Sequence, residues 1–245
     1  MHICSCEVTS GIPASFAGCP KYPLNRPLQS SIIRWEVEDG MCVRFYIDRS
    51  NDELDDIVNK ARHTKLADRF AVDCNPMSTE GEIRPADVVP VIAPDPSRVP
   101  SLYPMKWGYR NKDNGTLLFN ARSESAGTKP TFREDWARRR CIVPASYYFE
   151  WEHLTDAKGH KRTGAKYLIQ PKGYSITWLC GLYHIVDGFP YFVILTREPG
   201  ESVRMIHDRM PLILPKELIP KWTDPGTDPK QLLSHALTDM VAEKV

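Results

Sequence analysis

Apolar and polar positions fall into two regimes along this chain. Residues 1–40 hold Pro13, Pro20, Pro23 and Pro27 with several serines, and show no sustained period of 2 or 3.6. That stretch reads as loop or disorder. Patterning begins at Met41, where residues 41–47 (MCVRFYI) read as a short strand. Ser50 stands three residues before Glu53, a capping-box spacing, and Leu54, Ile57, Val58 and Ala61 follow at helical intervals. The spacing predicts an amphipathic helix over 51–62. Thr131 and Glu134 repeat the capping spacing and open a helix through Trp136 to about Arg139. Short β-rich runs cover Val88–Ala93, Thr116–Asn120, Cys141–Pro144, Lys166–Gln170, Tyr174–Cys180, Tyr191–Thr196 and Pro211–Leu214, with Lys172-Gly173 and Asp187-Gly188 as turns. Pro215 and Pro229 each precede a short helix near the C-terminus.

Strands outnumber helices and do not alternate with them as βαβ units. The expectation is an α+β fold: one curled, mainly antiparallel, barrel-like sheet with flanking short helices. No internal repeat is visible. The chain divides into an unpatterned leader, 1–40, and a single domain, 41–245, long enough to bury a real core. The leader has three basic and four acidic residues, so the domain carries about +2 of the overall +1. So small a net charge argues against coating nucleic acid by bulk charge, and leaves room for a local basic groove. No apolar run nears the roughly 20 residues that span a bilayer, and no export signal opens the chain, so a cytoplasmic protein without membrane contact is expected. The seven cysteines form no paired framework and read as reduced thiols. Cys4, Cys6 and Cys19 lack the partners of a tetrahedral site, so no metal and no cofactor is expected.

Four polar or ionisable residues sit in apolar, β-rich surroundings, where they must be paired or functional. They are Cys42 in the first strand, Asn120 ending another, Glu150 between Phe149 and Trp151, and His207 opening a polar triplet before an apolar run. Taken singly, each reads as a satisfied polar residue at the sheet surface. Jointly they supply a nucleophile, an orienter and an acid/base pair.

The segments that hold them are Met41-Cys42-Val43-Arg44-Phe45, Phe119-Asn120-Ala121-Arg122-Ser123-Glu124, Val143 to Trp151, and Ile206-His207-Asp208-Arg209-Met210-Pro211. Together with Gly81 to Pro85, Met105 to Tyr109 and Gly181-Leu182-Tyr183, they resemble, in order and separation, the signature of the SOS-response-associated peptidase (SRAP) family. The resemblance implies an abasic-site sensor and shield that acts on single-stranded DNA, a monomer with no small-molecule cofactor. In that family the cysteine after the initiator methionine is the true N-terminus. Its α-amine attacks the aldehyde of the ring-opened abasic deoxyribose, and its thiolate closes on the resulting imine to give a five-membered thiazolidine. An internal cysteine cannot make that ring, because its nitrogen is an amide.

Carried over residue by residue, Cys42 is the nucleophile and Asn120 holds the N-terminal residue or the opened sugar. Glu150 is the acid/base beside the amine, and His207 assists ring opening and proton transfer. Arg44, Arg122 and Arg209 are candidates for phosphate contacts, and Trp107, Tyr147 and Tyr148 for base stacking. Arg138-Arg139-Arg140 reads equally as a basic DNA contact or a solvated helix end, and Trp107 equally as core. Since the cysteine is residue 42, either Met41 is the real initiator or residues 1–41 are removed, the first being favoured. Val43, Asp73-Cys74-Asn75-Pro76 and Ser146-Tyr147 depart from the family pattern. Two other readings stay open: a cysteine peptidase using Cys42, His207 and Asn120, and a non-covalent single-strand binder. Autoproteolysis and a β-elimination (lyase) activity from the same imine accompany the main one.

Overall fold

The computed structural model describes residues 44–111, 115–155 and 160–245; Cys42, Val43 and the 1–40 leader lie outside them. The chain begins with β1 (Arg44–Ile47), α1 (Asp52–Arg62) and α2 (Lys65–Val72), then β2 (Gly81–Ile83), β3 (Val88–Pro94), β4 (Pro100–Trp107), β5 (Tyr109–Arg110), β6 (Leu117–Leu118) and β7 (Asn120–Arg122). Two short helices, α3 (Ser123–Ala126) and α4 (Arg133–Arg138), lead into β8 (Arg140–Ala145), β9 (Tyr147–Thr155), β10 (Lys161–Pro171), β11 (Thr177–Val186) and β12 (Phe189–Arg197). The last part holds α5 (Glu201–Arg204), β13 (Met210–Pro211), α6 (Ile219–Thr223) and β14 (Met240–Lys244).

Two sheets share the work. In the larger, β11-β8-β3-β4-β12 closes into a ring through a β11–β12 pairing, with β13 and β7 added on β12. The second runs β14-β10-β9-β1-β2. All pairings are antiparallel except β12–β4 and β12–β7. The α+β, barrel-like expectation is therefore met. Closure demands close approach at one point. A Cβ on Gly181 would stand 2.7 Å from the Val193 carbonyl oxygen and 3.0 Å from Cys141 Sγ, so only glycine fits. Asp187 and Gly188, at φ of 52° and 77°, make the two-residue turn joining β11 to β12.

The helix expected over 51–62 forms, with Leu54, Ile57, Val58 and Ala61 on its buried face. Its cap is Asn51, which accepts the Leu54 N–H at 3.1 Å, so Ser50 is one residue too early. The second helix starts at Arg133, after an uncapped Phe132, rather than at Thr131. The run 116–120 breaks at Phe119 into β6 and β7, because the Trp107 indole N–H takes the Phe119 carbonyl at 2.9 Å. Tyr174 to Ile176 belong to a turn, and β11 begins at Thr177. The helix α2, capped by Thr64, has no counterpart in the sequence reading. Cys141 and Cys180 are free and buried, in line with reduced thiols; Cys74 is not, being disulfide-bonded. No helix among the described residues is long and apolar enough to cross a membrane.

Candidate active site

Strand β9 brings the first functional side chain inward. Its alternation sends Tyr147 and Trp151 partly outward, while Tyr148 and Glu150 are buried, the latter 2 % exposed. A carboxylate at that depth is expensive unless it has partners or a task. The second side chain arrives from the loop after α5. There the Ile206 carbonyl accepts the His153 N–H at 2.9 Å, which ties the loop to the end of β9. His207, also 2 % exposed, is held so that its Nε2 lies 4.0 Å from Glu150 Oε2.

The imidazole is fixed from its other edge. Nδ1 accepts the Arg209 N–H at 2.9 Å, which leaves the proton of the neutral ring on Nε2. Burial holds the pKa down at about 4, and His153, with its ring centroid 3.9 Å away, pushes the same way. The Asp208 carboxylate, 3.1 Å from Nδ1, opposes this without offsetting it. His207 is therefore neutral at physiological pH. Its Nε2 is buried and has no hydrogen-bond partner among the described residues. A gap of 4.0 Å is too long for a direct hydrogen bond to Glu150. An orphaned polar atom of this kind costs roughly 1–3 kcal/mol, and is tolerated where a substrate or an amine supplies the missing partner.

Asn120 opens β7, half-buried, with Ile194 of β12 as its Cα partner. A staple joins its segment to the His207 loop: the Arg209 guanidinium grips Glu124 of α3 through two bonds of 3.0 and 2.9 Å. Arg209 reaches Thr196 Oγ1 at 3.4 Å as well. Burial raises the Glu124 carboxyl, but the bonds from Arg209 outweigh it and hold the group below the usual carboxylate range. Arg209 was expected at phosphate; it is buried, and its guanidinium is bidentate on Glu124. Trp107 is corrected too. It is 0 % exposed, stacked against Phe192 with centroids 6.0 Å apart, and belongs to the core.

Arg122 is exposed at the end of β7, two residues from Asn120. Arg44 is half-exposed on β1, paired with Glu82 and lying over the Trp151 ring at 5.7 Å. Lys166 of β10 completes the group, 2.9 Å from Glu82 and 3.7 Å from the Phe149 ring centroid. Burial raises the Glu82 carboxyl, but its bonds with Lys166 and Arg44 lower it on balance. Next to this group, Tyr46 stacks on Tyr147 at 5.0 Å, while Tyr148 is fully buried. The sequence reading missed Lys166, His153 and Glu124. Glu124 alone carried a signal, since it lies in a quoted segment, whereas a lysine on a polar strand face carries none. Of the arginine triplet, only Arg138 fits the solvated helix end, exposed in the last turn of α4. Arg139 pairs with Glu134 and Asp135, and Arg140 is fully buried. Asp73 holds the Asn75 amide through a bond of 3.2 Å, and Lys106 meets the same side chain at 2.6 Å.

The sequence comparisons agree on one family. A sequence model described as SOS response associated peptidase (SRAP) matches residues 41–245. The chain is 32% identical over 211 residues to the abasic site processing protein YoqW of Bacillus subtilis, covering 79% of this chain and 85% of that one. It is 30% identical over 127 residues to the abasic site processing protein YedK of Escherichia coli, covering 49% and 54%. A crystal structure of a phage-related protein from Bordetella bronchiseptica superposes with a TM-score of 0.61 at 23% identity, over 83% of this chain and 94% of that one. At that identity the likeness speaks for the fold.

Proposed function

The chain belongs to the SRAP family, and on that footing we propose that it processes abasic sites in DNA by forming a covalent thiazolidine through Cys42 as the mature N-terminus. Both curated relatives described above carry the abasic-site name, and the family match starts at Met41, the residue before Cys42. The observation that carries the reading is the buried Glu150–His207 pair with its unpartnered Nε2. Cys42 is two residues from Arg44, so covalent geometry keeps their Cα atoms within about 7 Å. Arg44 is the Cα partner of Phe149, the neighbour of Glu150.

The neutral α-amine adds to the C1′ aldehyde of the opened deoxyribose, and the carbinolamine loses one water to give an imine. Glu150 takes the proton from the amine and returns it to the departing hydroxyl. The Cys42 thiolate then adds to the imine carbon and the nitrogen regains a proton, which closes the ring. His207, neutral and with Nε2–H free, can donate a hydrogen bond to the sugar ring oxygen during ring opening, while the proton that oxygen gains comes from the C1′ hydroxyl by way of Glu150. Asn120 would orient the amine or the sugar, and the exposed Arg122 with the half-exposed, Glu82-paired Arg44 would hold flanking phosphates of a single strand. Residues 1–41 must be absent from the mature chain, since an acylated Cys42 has no amine to give.

Intact mass after incubation with an abasic single-stranded oligonucleotide tests this. A chain beginning at Cys42 gains one strand minus one water, and the adduct survives denaturation. Cys42→Ser, which cannot close a thiazolidine, loses the stable adduct. A verified Cys42 terminus that gains no mass would overturn the reading.

A further inference from the structure

One cluster beside the candidate site joins His207 to two residues that have no part in that chemistry, His153 and Asp208. His153, His207 and Asp208 each offer a ligand atom, and the three atoms lie within 4.8 Å of one another. We propose that these residues form a site for a borderline divalent transition ion, Zn2+ being the type, and that its occupancy withdraws His207 from abasic-site processing. The second half rests on the proposed function; the first does not.

The donor set argues for the class of ion. Two imidazoles and one carboxylate suit Zn2+, Ni2+ or Cu2+, whereas Mg2+ and Ca2+ want an all-oxygen shell. The spacing argues for closure by side-chain rotation. Ligand atoms at about 2.1 Å from a tetrahedral ion stand about 3.4 Å apart. His207 Nδ1 and Asp208 Oδ1 are 3.1 Å apart, close to that value. His153 is exposed and the Asp208 side chain is 75 % exposed, so both turn without disturbing the core.

A second, independent feature points the same way. Metal-bound histidines direct their other ring N–H towards a carboxylate, which fixes the tautomer. Here His207 is 2 % exposed and its unpartnered Nε2 faces Glu150 Oε2 at 4.0 Å. Binding through Nδ1 must displace the Arg209 N–H now bonded there at 2.9 Å. That competition, with only three protein ligands and an open fourth position, makes the site exchangeable rather than structural. A bound ion would also immobilise the Nδ1 lone pair and raise the acidity of the ring. Coordination would draw the ring away from its present seat on the Arg209 N–H, so Nε2 would no longer lie towards Glu150 as it does now.

Equilibrium dialysis of the full chain against Zn2+, wild type beside His153→Gln and Asp208→Asn, reads the binding directly. One equivalent of Zn2+ should weaken by about tenfold or more in each variant, the loss of one ligand in three, and Mg2+ should not displace it. Wild-type stoichiometry and affinity in both variants would overturn the site. In a crosslinking assay, Zn2+ should lower the wild-type rate and a chelator restore it, while the rate of His153→Gln, taken relative to its own metal-free value, resists Zn2+. Equal sensitivity of wild type and His153→Gln overturns the inhibitory role. Absence of any crosslink in metal-free wild type would count against the proposed function, and the dialysis result would stand apart from it.

Discussion

Two buried basic side chains, Arg140 and His207, show opposite treatment of polar atoms in the same core. Arg140 is fully buried, yet its guanidinium meets the carbonyls of Trp222 at 2.7 Å, Trp136 at 2.8 Å, Ala137 at 2.9 Å and Thr227 at 2.9 Å, with Asp224 as a fifth. Burial lowers its pKa from a very high ordinary value, and Asp224 and Asp228 oppose the drop. Every donor is used to tie α4, α6 and the following turn to β8. His207 is almost as deep, but one of its two nitrogens has no partner. A saturated buried group is architecture; a buried group left short is kept for something that arrives later.

The strongest test of that contrast removes the saturated member. Arg140→Ala leaves up to five carbonyls without their donor and opens a large void, with an expected loss of about 3–5 kcal/mol. Thermal unfolding should show it as a fall of roughly 6–20 °C for a domain of this size. The crosslinking rate per folded molecule should stay near wild type. A Tm within a degree or two of wild type would mean the carbonyl cage is incidental.

The reciprocal change spares stability and removes activity. His207→Gln deletes an imidazole that is already short of one partner, so the Tm at neutral pH should move little. The crosslinking rate should fall about 100-fold, the usual worth of a positioned acid/base. A pH series adds a sign. Burial sets the folded pKa of His207 at about 4, below the ordinary 6.5, so the unfolded chain binds the extra proton first. Wild-type stability therefore declines as pH falls from about 6.5 to about 4 and levels off below, by up to a few kcal/mol. His207→Gln should flatten that window in acid unfolding curves. An unchanged slope would place the titration on another group.

How much of this was legible beforehand depends on what each feature rests on. Helix α1 and the runs within β3, β8, β10 and β12 were legible because local periodicity and β-branched content decide them. Ring closure was not, since it depends on non-local pairings such as Tyr191 with Lys106. Asn120, Glu150 and His207 stood out as polar residues in apolar runs, and the structure brings Glu150 and His207 together. Arg209 and Trp107 shared those segments but face other tasks, because a motif records that a residue matters without recording why. Arg140 was marked only as part of a basic cluster, and His153 left no mark at all. An arginine in a basic triplet looks solvated until the carbonyls around it are seen, and a histidine on an exposed strand end looks idle until His207 lies against it.

The smallest expected effect probes the staple between the two halves of the site. Glu124→Gln keeps the shape of the side chain but removes the charge that Arg209 grips through two bonds. The Glu124 side chain is 48 % exposed, so solvent screening reduces the worth of the pair to about 1 kcal/mol. The Tm should fall by about 2–4 °C. The informative reading is kinetic: Arg209 also supplies the N–H that fixes His207 Nδ1, so loosening its side chain should cost several-fold in crosslinking rate. Glu124→Asp, which keeps the charge on a shorter stem, should recover part of that rate. If Glu124→Gln lowers the Tm and leaves the rate intact, the staple serves the fold alone. The His207 loop would then be positioned by the His153–Ile206 backbone bond and the packing of Met210 and Pro211 against β12.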